Sequence, residues 1–325
     1  MKRRILVKAL PLAMATALAA LPMVGSAQPA PWPSRTIRVI TPQAPGGSGD
    51  VMLREFATRL SDKLGQPVVV DNRPGANGII ATQAAARAPA DGYTLLWTLT
   101  QHIQVPIQYK NAGYDPIEDF TPIARIGAAV TVLVARPALG IKSAADLVSN
   151  APSKKWSFGS TASGPQVVLE AFNKGRNLNM LSVPYKGEAP AIQDLMGGQI
   201  DIALFSVATA RPFIQSGQLV PLGISATRRA ASLPDLPTFL EQGYADFNWI
   251  GWYGFMGPAK LPQPIATRLT TEIKAILDDP AMAKKLDTMD IVVNWADGPN
   301  FLNGMKQDTA RWAALVKSSG VTFDQ

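Results

Sequence analysis

Two periods of apolar residues alternate along the chain. Residues 36–41 form a strand-like run of mainly β-branched side chains that leads into the glycine-rich segment 45–50. Apolar residues then recur at spacings of three and four, which predicts one buried face of a helix: Leu53, Phe56, Leu60 and Leu64. A short strand at 67–70, an alanine-rich helix at about 77–87 and a strand at 93–97 follow. This βαβαβ order predicts a parallel sheet with helices on its faces.

The same alternation returns in the second half of the chain. Four further strands are predicted at 156–158, 181–185, 200–205 and 219–225. Thr238 and Glu241 have the spacing of a capping box, which predicts a short helix ending at Gly243. The C-terminal part is predicted to be mainly helical, because apolar residues recur at helical spacing in 265–276 and again in 302–316.

The composition favours a folded, non-catalytic protein. The 325 residues are 47% hydrophobic and 17% charged, which is enough for a packed core and excludes an intrinsically disordered chain. The length suggests about two domains. The chain has no cysteine, so a disulfide framework, a thiolate metal site and a cysteine nucleophile are excluded. Complete dinucleotide, phosphate-loop and nucleophile-elbow motifs are absent, and His102 is the sole histidine. No catalytic residue, metal or cofactor is therefore expected.

The N-terminus has the features of a secretory signal peptide. Basic residues at its start precede an apolar stretch from Ala9 to Val24, and small residues follow as far as Ala27. This pattern predicts cleavage after Ala27 and export from the cytoplasm. The alternative is a retained membrane anchor, against which the short, proline-interrupted apolar run argues. Removing the four positive charges of this segment lowers the formal net charge from +7 to +3, and no basic cluster remains for nucleic acid.

Three loops rich in glycine and hydroxyl side chains lie between a predicted strand and a predicted helix, at 46–49, 75–78 and 159–164. In an open α/β sheet such loops lie at the carboxyl ends of the strands, where ligands bind. Glycine allows close backbone approach, and the first N–H groups of a helix, which have no partner within it, favour an anion. The loops therefore predict a carboxylate site; the alternative is that each is only a tight turn with a helix cap. Asp50 is expected to cap its helix rather than to contact the ligand.

Short motifs, taken in order, resemble the Bug family of periplasmic solute-binding proteins, the TctC-like receptors of tripartite tricarboxylate transporters. The longest are PGGSGD at 45–50, DNRPGANG at 71–78 and ADGYTLL at 90–96. Shorter matching segments lie at 32–35, 114–116, 119–122, 183–187, 198–201, 216–219, 233–238 and 252–254. Each motif alone is weak, but their order across nearly the whole mature chain is specific to the family.

The resemblance implies a two-lobed α/β fold of the periplasmic-binding-protein type (Venus flytrap, type II-like), in which each lobe is a mainly parallel sheet flanked by helices. After the signal peptide at 1–27, the first lobe is expected to comprise 28–125 plus 251–325. The second lobe is expected to comprise 126–250, with the ligand cleft between the lobes. The chain is expected to cross between them near 127–134 and near 251–255.

Family members hold small organic acids by their strand-to-helix loops. By position in the matched loops, the implied ligand contacts are Gly47, Ser48, Gly49, Asn77, Gly78, Ser160, Thr161, Ser163 and Gly164. Lys186, in a matched tyrosine–lysine–glycine segment, is expected to offset ligand charge or else to be a solvated lysine. Thr100 and His102 are further candidate contacts. Phe205 is expected either to form an apolar wall of the site or to pack in the core.

Two positions depart from the family pattern. Trp97 follows the third strand, where small residues are common in the family, and Gln166 stands where a histidine is frequent. Both are candidates to face the cleft, so the identity of the acid does not transfer from relatives.

The resemblance implies a receptor that captures a small organic acid and delivers it, without catalysis, to the membrane permease subunits of a tripartite carrier. A periplasmic monomer is expected, with no nucleic acid among its partners. Two alternatives stay open. One is a sensor that presents its ligand-bound lobe to a membrane signalling kinase, and the other is an exported α/β hydrolase that uses His102 and a serine.

Overall fold

The computed structural model describes residues 31–161, 163–185, 187–247 and 251–323, so the predicted signal peptide lies outside the described residues. The described part forms two β-sheets, each with helices packed on both faces. The strands in chain order are β1 (Ile37–Thr41), β2 (Val68–Asn72), β3 (Thr94–Leu99), β4 (Phe120–Ala129), β5 (Thr131–Ala135), β6 (Ser157–Ser160), β7 (Leu181–Pro184), β8 (Ile202–Ser206), β9 (Val220–Ser225), β10 (Tyr253–Pro258) and β11 (Ile291–Asp297).

The helices vary in length from a few turns to a long C-terminal rod. In chain order they are α1 (Ser48–Leu64), α2 (Ile79–Ala86), α3 (Gln101–Gln108), α4 (Ala144–Asn150), α5 (Ser163–Gly175), α6 (Glu188–Met196), α7 (Val207–Gln215), α8 (Gln263–Leu277), α9 (Pro280–Thr288) and α10 (Gly298–Ser319). Short 3₁₀ turns cover Ala76–Gly78, Pro137–Leu139, Ala151–Ser153 and Ala245–Phe247. Among the described residues, no helix combines the length and apolar character needed to cross a membrane.

The first sheet has six strands in the order β11-β4-β10-β3-β1-β2. Because successive side chains of a strand point to opposite faces, neighbouring residues of β3 enter different cores. Leu95 and Trp97 pack with α1, α8 and α9, whereas Leu96 packs with α2, α3 and α10. The apolar stripe predicted for α1 is confirmed, since its four residues are all buried. Covering both faces makes this sheet the rigid base of the first lobe.

The second sheet has five strands in the order β7-β6-β8-β5-β9. One face packs against α4 and α5, and the other against α6 and α7. In β8 the alternation again separates neighbours, because Leu204 belongs to the first of these cores and Phe205 to the second. The two-lobed α/β fold is therefore confirmed.

Both sheets are mixed, which corrects the expectation of a mainly parallel sheet in each lobe. β1 pairs in parallel with β2 and β3, and β6 pairs in parallel with β7 and β8. The strands that connect the lobes run the other way: β10 is antiparallel to β3 and β4, and β5 is antiparallel to β8 and β9. These strands enter a sheet directly from the other lobe, and antiparallel pairing needs no crossover helix.

The segment predicted to form a helix from Thr238 to Gly243 is a turn instead. The capping box itself is present: the Thr238 N–H donates to Glu241 Oε2 at 2.7 Å, and the Glu241 N–H donates to Thr238 Oγ1 at 3.1 Å. The chain then turns at Gly243, where φ is +82°. The capping box therefore stabilises a single turn and does not start an α-helix.

Helix α10 is shared between the two cores. Its Phe301 and Met305 are buried beside the first sheet, and Trp312 is buried in the core of the second. The chain thus passes between the sheets at Val130, again before Tyr253, and a third time along α10. β4 also stays in the first sheet as far as Ala129. The predicted division into 28–125 plus 251–325 and 126–250 remains a proposal about which segments move together.

Candidate ligand-binding site

A cavity of about 240 Å³ opens between the two sheets. Both chain crossings line it, together with the residues that follow β3, the start of α5 and one residue of β8. The lining residues are Leu99, Thr100, Gln101, Gln104, Ala128, Ala129, Thr131, Ser163, Gly164, Pro165, Leu204, Gly251, Trp252 and Tyr253. Of the predicted site residues, Thr100, Ser163 and Gly164 are among them. Pockets for drug-sized ligands enclose about 300–1,000 Å³, so this cavity suits a smaller molecule.

Thr100 joins two walls of the cavity. Its N–H donates to the carbonyl oxygen of Trp252 at 3.0 Å, and the Trp252 N–H donates to Thr100 Oγ1 at 2.6 Å. Trp252 is held from behind by Phe301 of α10, whose ring lies edge-on at a centroid distance of 4.9 Å. A β-carbon at Gly251 would lie 3.1 Å from Thr100 Oγ1, so the crossing needs a small residue here. Thr100 therefore fixes the return crossing against the start of α3.

Helix α3 turns two glutamines toward the cavity. Gln101 and Gln104 are three residues apart, a spacing that places them on one face of the helix. Gln104 is only 5% exposed, and among the described residues neither amide has a hydrogen-bond partner. Buried amides are normally paired. The helix face toward the cavity therefore presents neutral donors and acceptors that a bound molecule can use.

The second lobe presents the start of α5. Ser163, Gly164 and Pro165 line the cavity and form the first turn of this helix. The first N–H groups of an α-helix have no partner inside it, and proline at this position has no N–H to lose. The helix dipole adds partial positive charge at the same end. This wall suits an anion.

The lining is uncharged throughout the part of the chain that the structure describes. One charged group that acts on the lining is Glu188, whose carboxylate accepts hydrogen bonds from the N–H of Ser206 at 2.7 Å and from its hydroxyl at 3.0 Å. Burial raises the pKa of Tyr253, the charge of Glu188 adds to the shift, and the nearby Ser48 and Gln43 side chains oppose it. Tyr253 thus stays a neutral hydroxyl. The described residues also contain no group of three or more side chains arranged to hold a metal ion.

The sequence of the chain matches one family model over most of its length. The model describes the tripartite tricarboxylate transporter family receptor, TctC, and it covers residues 52–321. The chain belongs to this family. The resemblance to the Bug receptors is thereby confirmed.

Several known proteins are similar to most of the chain. Protein BugT of Bordetella pertussis is 34% identical over 297 residues, which cover 89% of this chain and 90% of BugT. A structure of an R. palustris protein with adipate shares 30% identity, with a TM-score of 0.78, and the match covers 90% of this chain and 100% of that one. MatC from Rhodopseudomonas palustris with bound malate shares 27% identity, with a TM-score of 0.70 and coverage of 87% and 99%. Family members are solute-binding proteins.

The predicted loop Gly47–Gly49 adjoins Tyr253 and is not among the residues that line the cavity, and its Gly47 and Ser48 are exposed. Its Ser48 side chain lies beside the Tyr253 hydroxyl, and a β-carbon on Gly49 would come within 2.2 Å of Gln43 Nε2. Gln43 in turn accepts a hydrogen bond from Trp97 Nε1 at 3.1 Å. The start of α1 is therefore coupled to the cavity through the Ser48 side chain, which lies beside the lining residue Tyr253.

The large residue at position 97, a departure from the TctC family pattern, is part of the core of the first lobe. The Trp97 side chain is fully buried, and its ring stacks on Tyr253 at a centroid distance of 5.6 Å and an interplanar angle of 6°. Trp97 thus lies one layer behind the lining, and it sets the position of Tyr253. Gln166, the other departure, is half-buried and is not a lining residue.

Asn77 and Gly78 approach the cavity only at its edge. Asn77 is exposed, and its Nδ2 donates to the Tyr109 hydroxyl at 2.7 Å. Gly78 is buried at φ +86°, where a β-carbon would lie 3.1 Å from Pro42 Cβ and 3.9 Å from Gln101 Oε1. Neither residue lines the cavity. Gly78 instead leaves room for the Gln101 side chain, which does.

Asp50 lies in the first turn of α1, as predicted, but its side chain closes the preceding loop instead of capping the helix. Its carboxylate accepts hydrogen bonds from the Gly46 N–H at 2.9 Å, from Asn72 Nδ2 at 2.7 Å and from the Arg54 guanidinium at 2.9 Å. Burial acts to raise the pKa of Asp50, but these hydrogen bonds outweigh it and lower the pKa below the usual range. Asp50 is therefore an ionised structural residue that closes the loop before α1.

The remaining predicted residues of the second lobe flank α5. Ser160 ends β6 and is 3% exposed, and its Oγ has no partner among the described residues. Thr161 follows it and is half-buried. Neither is a lining residue of the cavity. Lys186 lies outside the described residues.

His102 is turned away from the cavity, which corrects its prediction as a ligand contact. Its ring packs against Tyr114 and Phe120 at centroid distances of 5.5 and 4.7 Å. Its Nε2 lies 2.9 Å from the carbonyl oxygen of Pro116 and must donate to it, and its Nδ1 is buried without a partner in the described part. Burial lowers the pKa of His102 to about 4. The reason is helix phase: His102 lies on the face of α3 opposite the two lining glutamines. Among the described residues, no serine is hydrogen-bonded to the His102 ring.

Phe205 belongs to the core, which decides between the two roles predicted for it. It is fully buried between the second sheet and α6 and α7. Its neighbour Leu204 points to the other face of β8 and lines the cavity. The apolar wall predicted from β8 therefore exists, one residue earlier.

The residues that the sequence interpretation missed carried two usable signals. Gln101 and Gln104 repeat at helical spacing directly after β3, the expected ligand side of the sheet. Thr131, Trp252 and Tyr253 lie in the segments where the chain was expected to cross between lobes, and such crossings border a cleft between lobes.

Proposed function

We propose that the protein is a periplasmic receptor that captures a small organic acid and passes it, chemically unchanged, to the membrane subunits of a tripartite carrier. The observation that carries this proposal is the cavity between the sheets, which Ser163 and Gly164 line at the start of α5, where the first N–H groups of a helix have no partner within it. The family supports it, and so do the relatives with adipate and with malate.

In this proposal the carboxylate of the ligand lies at the start of α5. The Ser163 hydroxyl and the first-turn amides donate to it, and Thr161 and Ser160 support the loop from behind. Lys186, in the matched tyrosine–lysine–glycine segment, offsets the charge. Thr100 and Tyr253 complete the opposite wall from the first lobe. Amide donors hold an anion without a fixed ion pair, which allows release to a carrier.

Catalysis is not part of the proposal. The described lining residues offer no carboxylate, imidazole or lysine that could transfer a proton. The Nε2 of His102 is hydrogen-bonded to the carbonyl oxygen of Pro116. The export route is the signal peptide at residues 1–27, with cleavage after Ala27. Closure of the lobe 28–125 plus 251–325 on the lobe 126–250 would sequester the ligand.

A thermal-shift series on the mature protein tests the proposal. Adipate, malate and simple monocarboxylates from four to eight carbons are compared with maltose and adipamide as uncharged controls. At a concentration 100-fold above its dissociation constant, a binding acid is expected to stabilise the protein by about 2.7 kcal/mol. Recovery of the acid unchanged after incubation would agree with a receptor. A response to maltose or adipamide, together with silence across all acids, would overturn the proposal.

A further inference from the structure

Three neutral polar side chains on the cavity lack hydrogen-bond partners in the described part of the chain. They are the amides of Gln101 and Gln104 and the hydroxyl of Thr131, whose Oγ1 is buried. Gln104 is 95% buried as a residue, but its amide atoms are not among the buried polar atoms that lack a partner, so they remain accessible from the cavity. Thr131 Oγ1 is such a buried atom, and buried polar groups in native proteins are paired in the great majority of cases. These groups come from α3 and from the first chain crossing, and the start of α5 lies on the other lobe's side of the same cavity.

The chemistry of these groups favours an uncharged partner. A glutamine amide and a hydroxyl each donate and accept hydrogen bonds, whereas an ionised carboxylate only accepts. A carboxylate placed here could accept a hydrogen bond from Gln104 Nε2, but it would offer no donor to Gln104 Oε1. No arginine or lysine among the described residues lines the cavity to compensate, and the negative charge of Glu188 already acts on Tyr253 in its wall. A carboxamide or a hydroxyl group pairs with both functions of Gln104.

The walls between the two ends are apolar. Leu99, Ala128, Ala129, Leu204 and Trp252 line the cavity alongside the polar groups. Hydrocarbon between the carboxylate and the polar end of a ligand would be covered by these side chains.

We propose that Gln104, with Thr131 and Gln101, forms a second subsite that takes the uncharged, hydrogen-bonding end of the ligand, and that the receptor selects acids with one carboxylate over dicarboxylates of the same length. This inference rests on the proposed function, because it assumes that the single carboxylate lies at the start of α5. In this arrangement Gln104 determines which chemical group is accepted at the end of the ligand opposite the carboxylate.

Matched probes separate the two ends of the ligand. Isothermal titration calorimetry on the mature protein would compare three series from four to six carbons: the diacids succinate, glutarate and adipate, their mono-amides, and their diamides. The best mono-amide is expected to bind about tenfold tighter than the diacid of the same length, since it adds paired hydrogen bonds without a second charge.

Two glutamine variants identify the subsite. Gln104→Leu is expected to lower the affinity for the mono-amide about tenfold and to remove the preference over the diacid. Gln108→Leu is the matched control. Gln108 is on the same helix and equally buried, and its Nε2 is also without a partner in the described part, but it does not line the cavity. This variant is expected to bind like the parent protein.

The outcomes distinguish the inference from the proposed function. If a diacid binds as tightly as its mono-amide or more tightly, or if Gln108→Leu has the same effect as Gln104→Leu, the subsite is refuted and the acid receptor stands. If the diamides bind and neither acid series does, the proposed function fails, and the subsite fails with it. Absence of binding by every mono-amide also refutes the subsite, whatever the diacids do.

Discussion

Thr100 and Trp252 hold each other through reciprocal hydrogen bonds between the start of α3 and the second chain crossing. Both residues line the cavity and both are buried. The shorter of the two bonds, from the Trp252 N–H to Thr100 Oγ1, depends on a side chain and is therefore open to mutation. The geometry of the cavity rests on this pair, because it joins segments that are distant in the sequence.

Thr100→Val is expected to lower the free energy of unfolding by about 1–3 kcal/mol, because the buried Trp252 N–H loses its acceptor while the volume of the side chain is kept. Urea unfolding followed by tryptophan fluorescence measures the change. Thr100→Ser retains the hydroxyl and is expected to stay closer to the parent. Equal stability of the valine variant and the parent would show that the bond contributes nothing.

Ser163→Ala is expected to weaken the binding of the best carboxylate about fivefold, since one donor at the start of α5 is lost at a cost of about 1 kcal/mol. Calorimetric titration gives the affinity. The control is Ser143→Ala at the start of α4, where Ser143 Oγ accepts a hydrogen bond from the Asp146 N–H at 3.1 Å, away from the cavity. That variant is expected to lose about 1 kcal/mol of stability and no affinity. The reverse pattern would place the carboxylate elsewhere.

The buried His102 predicts a specific dependence of stability on pH. Its pKa in the folded protein is about 4, below the ordinary value of 6.5, so the unfolded chain binds the proton more readily. Stability therefore rises with pH between about 4 and 6.5, and protonation of His102 costs about 3 kcal/mol when complete at lower pH. Thermal melts of the parent and of His102→Gln between pH 4 and 7 test this. The difference between the two proteins is expected to change across that window, and parallel curves would contradict the assignment.

Trp312→Ala is expected to lower the free energy of unfolding by about 3–5 kcal/mol, because a fully buried indole is removed from the second core. Lys317→Ala, an exposed change on the same helix, serves as the control and is expected to have little effect. Chemical denaturation provides both values. A loss below 1 kcal/mol for Trp312→Ala would show that the C-terminal half of α10 is only loosely attached to the second lobe.

Sequence patterns predicted the elements of this fold well where one face is clearly apolar. The stripe of α1 and the order of strands and helices in the first half are examples. The patterns did not predict the direction of the strands within each sheet, because strand direction depends on long-range connections. The residues of β5 and β10 do not indicate that these strands run antiparallel to their neighbours. The capping box at Thr238 was also recognised correctly, but a box specifies a helix start and does not supply the length that a helix needs.

The candidate site was harder to predict because residue type is a weaker guide than helix phase. His102 was chosen as the sole imidazole, yet the face of α3 that bears Ile103 and His102 packs in the first lobe. The glutamines on the other face are polar and buried, so no hydrophobic pattern distinguishes them. The Gly47–Gly49 loop was placed at the ligand because its strand ends there. Tyr253, which lies beside this loop and lines the cavity, arrives from a distant part of the chain, and local sequence could not reveal it.

The sharing of α10 between the cores has a consequence for how the molecule can move. If only two strand-like linkers joined the lobes, they would act as a hinge and would permit large rotations of one lobe relative to the other. A stiff rod of 22 residues, about 33 Å long, is fastened near its start by Phe301 and, eleven residues further along, by Trp312. Any excursion must flex this rod or slide one of its ends. We therefore expect the halves to twist through a narrow range about an axis near its middle, with the mouth of the cavity changing width more than its floor changes shape.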